Sequence, residues 1–313
     1  MIEDIMNMLF NGTLNGAVYA LVALGYSLVY GVGGVMNLAH GAYFMVTGYT
    51  LLWLVKSPYY IMLVGVTNPF VAGFLIVALA LLIITITGGL SYILLIKPLQ
   101  HSQVGVVLGT FGLAFFIEQI VMVISGTEAW TITELQLVQG VTVFLGYSMI
   151  NQYILLIIIS VIIVSLFAVF ISKSKLGKSI RAVSQDHEAA SLMGINANRV
   201  LLYTVMISAL LAGIAAFLYL PGAAISGPSM GWSFLTNSFS VVILGGMGSL
   251  VGSVVGAFII GYSISFTQVF INIVITPTIR IQGPSWAHLI PIIIIIIVLL
   301  IRPRGLFGKK EID

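Results

Sequence analysis

From Phe70 to Ile96 the chain reads FVAGFLIVALALLIITITGGLSYILLI, 27 residues without one Asp, Glu, Lys or Arg. A helix rises 1.5 Å per residue, so about 20 apolar residues cross the roughly 30 Å of hydrocarbon in a bilayer. This stretch is long enough to span, and it lacks the period-two alternation of a barrel strand. In lipid its backbone polar groups must be satisfied within the segment, which leaves a helix. The rest of the chain has the same character: of 313 residues, 60% are hydrophobic and 7% charged, against roughly 25% charged in soluble domains. The expected fold is therefore all-α and polytopic, and a transmembrane β-barrel is excluded.

Laid along the chain, the same ruler marks nine segments: Leu9 to Tyr30, Val35 to Val55, Phe70 to Ile96, Val104 to Ser125, Gln152 to Ile171, Val200 to Leu220, Trp232 to Leu244, Val251 to Ile275 and Ser285 to Ile301. The count becomes eight or ten if the glycine-rich stretches near Gly31 or Gly222 re-enter the membrane. Residues 1–313 read as one transmembrane domain, with a loop over 173–199 and a tail over 302–313. Lys and Arg collect on cytoplasmic loops. With the 173–199 loop inside, ten of the twelve fall on that side, including Lys97, Arg302, Arg304, Lys309 and Lys310, leaving Lys56 and Arg280 outside. Nine crossings then place the N-terminus outside a cell membrane and the C-terminus in the cytoplasm.

Several function classes fall away. With no cysteine there is no disulfide or thiolate site. A net charge of +3, confined to loops, does not make a nucleic-acid surface. Met1 to Met8 is acidic at Glu3 and Asp4, lacks a basic n-region, and reads as mature sequence. Gly177-Lys178-Ser179 resembles the end of a phosphate loop, but Ser172 stands where its first glycine belongs. Gly246-Met247-Gly248 lacks the strand, third glycine and ribose-binding acid of a dinucleotide site. Asn11-Gly12-Thr13 matches a glycosylation acceptor in form alone, at a membrane edge. His40, His101, His187 and His288 are scattered, and no two carboxylates share a span, so neither a metal site nor catalysis is expected.

What remains points to transport. Two apolar segments are broken by glycines, one at Gly31, Gly33, Gly34 and Gly41, the other at Gly245, Gly246, Gly248, Gly252 and Gly256. Their tails match: Gly41-Ala42-Tyr43 leads to Gly48-Tyr49, and Gly256-Ala257-Phe258 leads to Gly261-Tyr262, as an internal repeat would. Broken helices in corresponding places line transport paths, while small residues also let helices pack closely, and both readings stand. Glu118 is the one acid well inside a span, where an acid costs about 2.5 to 3.5 kcal/mol. It reads either as a proton- or cation-coupling carboxylate or as a protonated or hydrogen-bonded glutamate facing the interior, with Gln119 or a hydroxyl as its partner. Asn37, His40 and Asn237 are candidates for the path lining, or for bonds between neighbouring helices.

Outside the spans, Leu176, Ile180 and Val183 recur at helical spacing, and Asp186-His187 starts a second short helix closed by Gly194. That helix carries Glu188-Ala189-Ala190, a small face suited either to docking in a groove of another subunit or to a plain solvated connector. Between Gly126 and Tyr147, Gln139-Gly140 followed by Val141, Val143 and Leu145 suggests a hairpin, with Glu128 and Glu134 facing water or a partner.

Taken in order, Asn15-Gly16 through Gly25-Tyr26 to Gly31, then Met36-Asn37-Leu38-Ala39-His40-Gly41, Leu244 to Ser249, and Arg302-Pro303-Arg304-Gly305-Leu306-Phe307-Gly308 form a distinctive set. Arg181-Ala182 through Asp186, Ala189-Ala190 and Leu192-Met193-Gly194-Ile195 complete it. The chain thereby resembles the permease subunits of high-affinity branched-chain amino acid ABC importers, whose relatives also move urea and short amides. The resemblance implies a helical permease paired with a second, homologous permease subunit, two cytoplasmic ATPases that bind the ATP, and an external solute-binding protein. No cofactor is expected in this chain itself. The resemblance also favours docking for Arg181, Asp186, Glu188, Ala189, Ala190 and Gly194. Two features depart from the pattern: Val251 stands where proline is common, and the wider importer loop motif is half present. The competing classes are a proton-coupled secondary carrier using Glu118 and a passive channel for urea or short amides.

Overall fold

The computed structural model describes residues 1–274 and 280–308. Ile275, at the end of the eighth expected span, and Lys309 and Lys310 of the basic tail lie outside the described residues. The chain runs through α1 (Ile2–Gly33), α2 (His40–Val55), α3 (Pro58–Val66) and α4 (Pro69–Ser91), which continues through a π-helical turn (Tyr92–Ile96) into α5 (Lys97–Leu99). Next come α6 (Gln103–Ser125), the hairpin β1 (Val141–Phe144) and β2 (Tyr147–Ile150), and α7 (Asn151–Lys173). The surface helices α8 (Lys175–Gln185) and α9 (His187–Leu192) lead to α10 (Ala197–Tyr219), α11 (Met230–Gly245) and α12 (Leu250–Phe270). A short pair, β3 (Asn272–Val274) and β4 (Arg280–Gln282), precedes α13 (Gly283–Ala287) and α14 (Ile290–Ile301).

Each of the nine expected segments carries a helix. Among the described residues six helices are long and apolar enough to cross a membrane, seven if α2 and α3, bent by 65° at their junction, form one span. The apolar α11 and α14 are shorter, at 16 and 12 residues, or about 24 and 18 Å. The chain is an all-α, multi-pass membrane protein.

Burial runs against hydropathy. The most apolar long helix, α7, is 22% buried over its best window, while the least apolar, α1, is 83% buried. Lipid-facing helices need continuous hydrocarbon, whereas a central helix can use glycine, alanine and serine to bring its neighbours close. Accordingly α1 is wrapped by α7, α10, α11 and α12, and α4 and α6 form the outer wall. Along the α1–α12 seam, Gly12 and Gly16 face Tyr262 and Phe258, and Gly261 faces the backbone of Gly12 and Gly16.

The two ends of the bundle differ. One carries the first turn of α1, the junction of α2 and α3, and the hairpin; Asn11 Nδ2 donates to Tyr147 Oη at 2.8 Å, and Lys56 Nζ lies 3.9 Å from the Trp130 ring centroid. The hairpin turns at Leu145-Gly146, both with positive φ, while Gly140 precedes it. This suits the primed turns that match strand twist. Glu128 and Glu134 there are exposed. The other end carries α8, α9, the turn at Gln100-His101 and the C-terminal segment Arg302–Gly308. Asn11 and Thr13 are helical and bonded, Thr13 Oγ1 to Tyr262 Oη at 2.7 Å, so the apparent glycosylation acceptor belongs to the α1 packing surface.

Candidate functional site

The break after α1 is an unwound segment inside the bundle. Gly34, in the left-handed conformation at φ 62°, caps α1, and the chain turns back. Six residues later His40 donates from Nε2 to the Val22 carbonyl at 2.8 Å, beside the middle of α1. Non-helical backbone at this depth requires partners. Leu38 N–H finds Thr110 Oγ1 and Ala39 N–H finds Asn37 Oδ1, both at 3.0 Å. Asn37 Nδ2 also reaches Tyr43 Oη at 3.3 Å, and that hydroxyl bonds Ser91 Oγ at 2.6 Å. Because Val22 offers only an acceptor, His40 carries its proton on Nε2, and Nδ1 accepts from the Ser208 hydroxyl at 3.0 Å. Asn37 and His40, both buried, thus hold the unwound strand and tie α1, α2 and α10 together.

Asn237 has a comparable place on α11, donating to Tyr19 Oη of α1 at 2.8 Å. Glu118 lies on the single interior stripe of α6, Val106, Thr110, Ala114, Glu118 and Val121. It is 7% exposed and accepts from the indole N–H of Trp232 on α11. The partner is therefore an indole, not Gln119 or a hydroxyl. Trp232 is the residue a reading of the sequence misses, since α6 and α11 are more than a hundred positions apart. The stripe, repeating every three or four residues, is legible and marks Glu118 as facing inward. Together Glu118, Trp232, Leu38, Ala42, Met45 and Gly231 line a small pocket of about 10 Å³, near the contact where the first turns of α2 and α11 meet at Gly41 and the Gly231 carbonyl. In the loop before α11 and on its first turn, Ser226, Ser229 and Ser233 are exposed, and their hydroxyls have no hydrogen-bond partner among the described residues.

The glycines divide by position. Gly245 packs backbone to backbone on Gly252, a methyl on Gly256 would stand 2.7 Å from the Val241 carbonyl, and Gly33 is pressed by Leu201 and Val35. Gly246 and Gly248 take positive φ in the turn between α11 and α12. Here the C-terminal segment folds back: Leu306 and Phe307 donate N–H groups to the carbonyls of Leu244 and Gly245 at 2.8 and 3.0 Å, and Gly308 abuts Gly246. Close approach accounts for most of these positions, while Gly31, Gly33 and Gly34 also line a cavity of about 540 Å³ shared with His101, His187 and Asn198. Val251 occupies the first turn of α12 behind the Ser249 cap. An amide there has no intrahelical acceptor, so valine and proline fit equally.

In the surface loop, Ile180 and Val183 are buried as their spacing predicts, and Asp186 Oδ1 caps α9 by accepting from the N–H groups of Glu188 and Ala189, each at 2.9 Å. Gly194, at φ 83°, ends it. Arg181, exposed on α8, donates to the Ser172 carbonyl at 3.0 Å at the end of α7. Ala190 is buried, while Glu188 and Ala189 face out. Beyond them Leu192 and Met193 are 89% and 83% exposed, an apolar knuckle at the end of α9.

Residues 8–299 match the family described as branched-chain amino acid transport system / permease component. Curated relatives include the high-affinity branched-chain amino acid transport system permease protein LivH of Escherichia coli K12, 26% identical over 98% of this chain and 97% of its own length. BraD of Pseudomonas aeruginosa, described in the same words, is 28% identical over the same shares. A probable branched-chain amino acid transport permease protein LivH of Methanocaldococcus jannaschii is 28% identical over 92% of this chain and 88% of that one. No solved structure matches significantly.

Proposed function

This chain belongs to the family of branched-chain amino acid transport permease components, and from that premise we propose that it is the membrane-spanning subunit of an ABC importer. It passes branched-chain amino acids across the cell membrane on ATP hydrolysed by partner subunits. The observation that carries the reading is the knuckle at Leu192 and Met193: two almost fully exposed apolar side chains at the tip of a capped, six-residue helix. An exposed apolar patch on a short rigid element marks an interaction site, here for a cytoplasmic ATPase.

The path of the force follows from the packing. Helix α8 rests on α7, α1 and α10, and the cavity lined by Gly31 to Val35 separates it from the end of α1. When the ATPases close, α8 and α9 move against that end, and the unwound segment Val35 to Ala39 is the nearest hinge. The spans that start at His40 and Met230 then rock to open the path to one side or the other. The exposed hydroxyls of Ser226, Ser229 and Ser233 suit a route lined for weak, transient contact with a polar solute. In this reading α8, α9 and the tail are cytoplasmic, since Lys97, Arg302 and Arg304 share their side, and the hairpin and N-terminus face the external solute-binding protein.

Reconstitution in vesicles tests it. Uptake of leucine should require the ATPases, ATP and the binding protein. Uptake by the isolated chain that collapses with an uncoupler and in Glu118→Gln would establish a proton-coupled carrier instead. Downhill flux of urea indifferent to both energy sources would establish a channel.

A further inference from the structure

We propose that Glu118 and Trp232 form an ammonium subsite on the solute path, so that the permease itself, and not the binding protein alone, favours solutes carrying a protonated amine. This inference rests on the reading of the chain as a transporter and adds the chemistry of one contact to it.

Three observations converge. First, Glu118 is more than nine-tenths buried, yet its carboxylate uses one oxygen: Oε2 accepts from the Trp232 indole, and Oε1 has no hydrogen-bond partner among the described residues. No salt bridge reaches it among the described residues. A carboxylate has about four lone-pair sites, so Oε1, which is not among the fully buried atoms without a partner, keeps acceptor capacity beside the pocket that Glu118 lines. A structural glutamate would be expected to fill that capacity from the many serines and threonines of the neighbouring helices.

Second, the pocket beside it measures about 10 Å³, close to the space that one water molecule needs. An ammonium group is the same size. The remaining walls, Leu38, Ala42, Met45, Ala114, Pro228, Gly231 and Leu235, carry no polar side chain. A neutral urea, with two amides and a carbonyl to satisfy, fits this chemistry poorly, whereas an ammonium needs an anion and tolerates apolar walls.

Third, Trp232 is itself part of the wall of that pocket. Aromatic faces attract cations, so the indole that bonds Glu118 also favours an ammonium in the pocket. Aliphatic amines and aliphatic amino acids share this group; the shared chemistry is a protonated primary amine.

The test uses the full-length chain in lipid nanodiscs, with Trp53, Trp130 and Trp286 replaced by Phe so that Trp232 reports alone. Leucine, isopentylamine, 4-methylpentanoate and urea are titrated in turn. Leucine and isopentylamine should change the indole emission saturably, and the two solutes without an amine should not. Glu118→Gln, which keeps the volume and the acceptor for the indole, should weaken the amine response at least tenfold. Glu118→Asp, which keeps the charge, should retain the preference for amines. Equal responses to leucine and 4-methylpentanoate, an unchanged titration in Glu118→Gln, or no response to any of the four would overturn the subsite. None of these outcomes bears on ATP-driven uptake by the assembled importer, which is measured separately and decides the transporter reading.

Discussion

Gly31 and Gly248 face each other backbone to backbone: a methyl group on Gly31 would stand 3.3 Å from the Gly248 Cα, and one on Gly248 would stand 3.2 Å from the Gly31 Cα. Gly248 also holds φ at 81°. Gly248→Ala therefore combines a left-handed alanine, which costs about 1–2 kcal/mol, with a contact tighter than the two backbones can accept without moving apart. Its thermal unfolding midpoint in detergent should fall measurably below that of the native chain, and Gly31→Val should fall further. A native midpoint in both variants would mean that the seam between α1 and the α11–α12 turn is loose.

The C-terminal segment supplies a second, independent check on the same corner. Without Leu306 and Phe307, the carbonyls of Leu244 and Gly245 lose their caps, each bond contributing about 0.5–1.5 kcal/mol. Ending the chain at Arg304 should lower the unfolding midpoint and expose the end of α11 to hydrogen exchange. Exchange at Gly246 to Ser249 that matches the full chain would show that water replaces the caps without loss.

That corner also shows what the sequence made legible. Gly31, Gly245 to Gly248 and Gly305 to Gly308 stand out as glycine clusters, and the apolar ruler finds every helix around them, because local composition decides whether a segment can be helical in lipid. Their meeting in space is a property of packing that no local pattern encodes. The same limit applies to Glu118. Its burial follows from the Thr110-Ala114-Glu118 stripe, but Trp232 is reachable only once α6 and α11 are placed side by side. For Asn37, His40 and Asn237 the residue types allowed two roles; Asn37 bonds locally to Ala39 and Tyr43, while His40 bonds Val22 and Ser208 and Asn237 bonds Tyr19 across elements. Arg181, part of the expected docking surface, is exposed and bonds the end of α7.

If His40 acts as such a clamp, its removal is a stability effect. His40→Ala deletes a fully buried ring and both of its bonds, and large-to-small changes of this kind cost about 2–5 kcal/mol. Ser208→Ala removes one bond, for about 1 kcal/mol. Because the two residues share that bond, the double variant should lose less than the sum of the single losses. Additive losses, or a changed solute preference at native stability in Ser208→Ala, would place His40 on the path instead.

The knuckle of α9 makes the most direct demand on the proposed function. Leu192 and Met193 are 89% and 83% exposed, so replacing them removes almost no packing within the chain, and surface changes of this type usually alter stability by less than about 0.5 kcal/mol. Their value must lie in what they touch. Burying one leucine-sized side chain against a partner contributes roughly 1.5–3 kcal/mol, and a charge held in that apolar contact reverses the sign. Leu192→Asp with Met193→Asp should therefore leave membrane insertion and the unfolding midpoint unchanged, while co-purification with the ATPases drops more than tenfold and leucine uptake is lost. Glu188→Lys, on the outward side of the same helix, tests the electrostatic part and should weaken association less than the double aspartate. If the double variant still binds the ATPases and transports normally, α9 is a connector and the force enters the chain elsewhere.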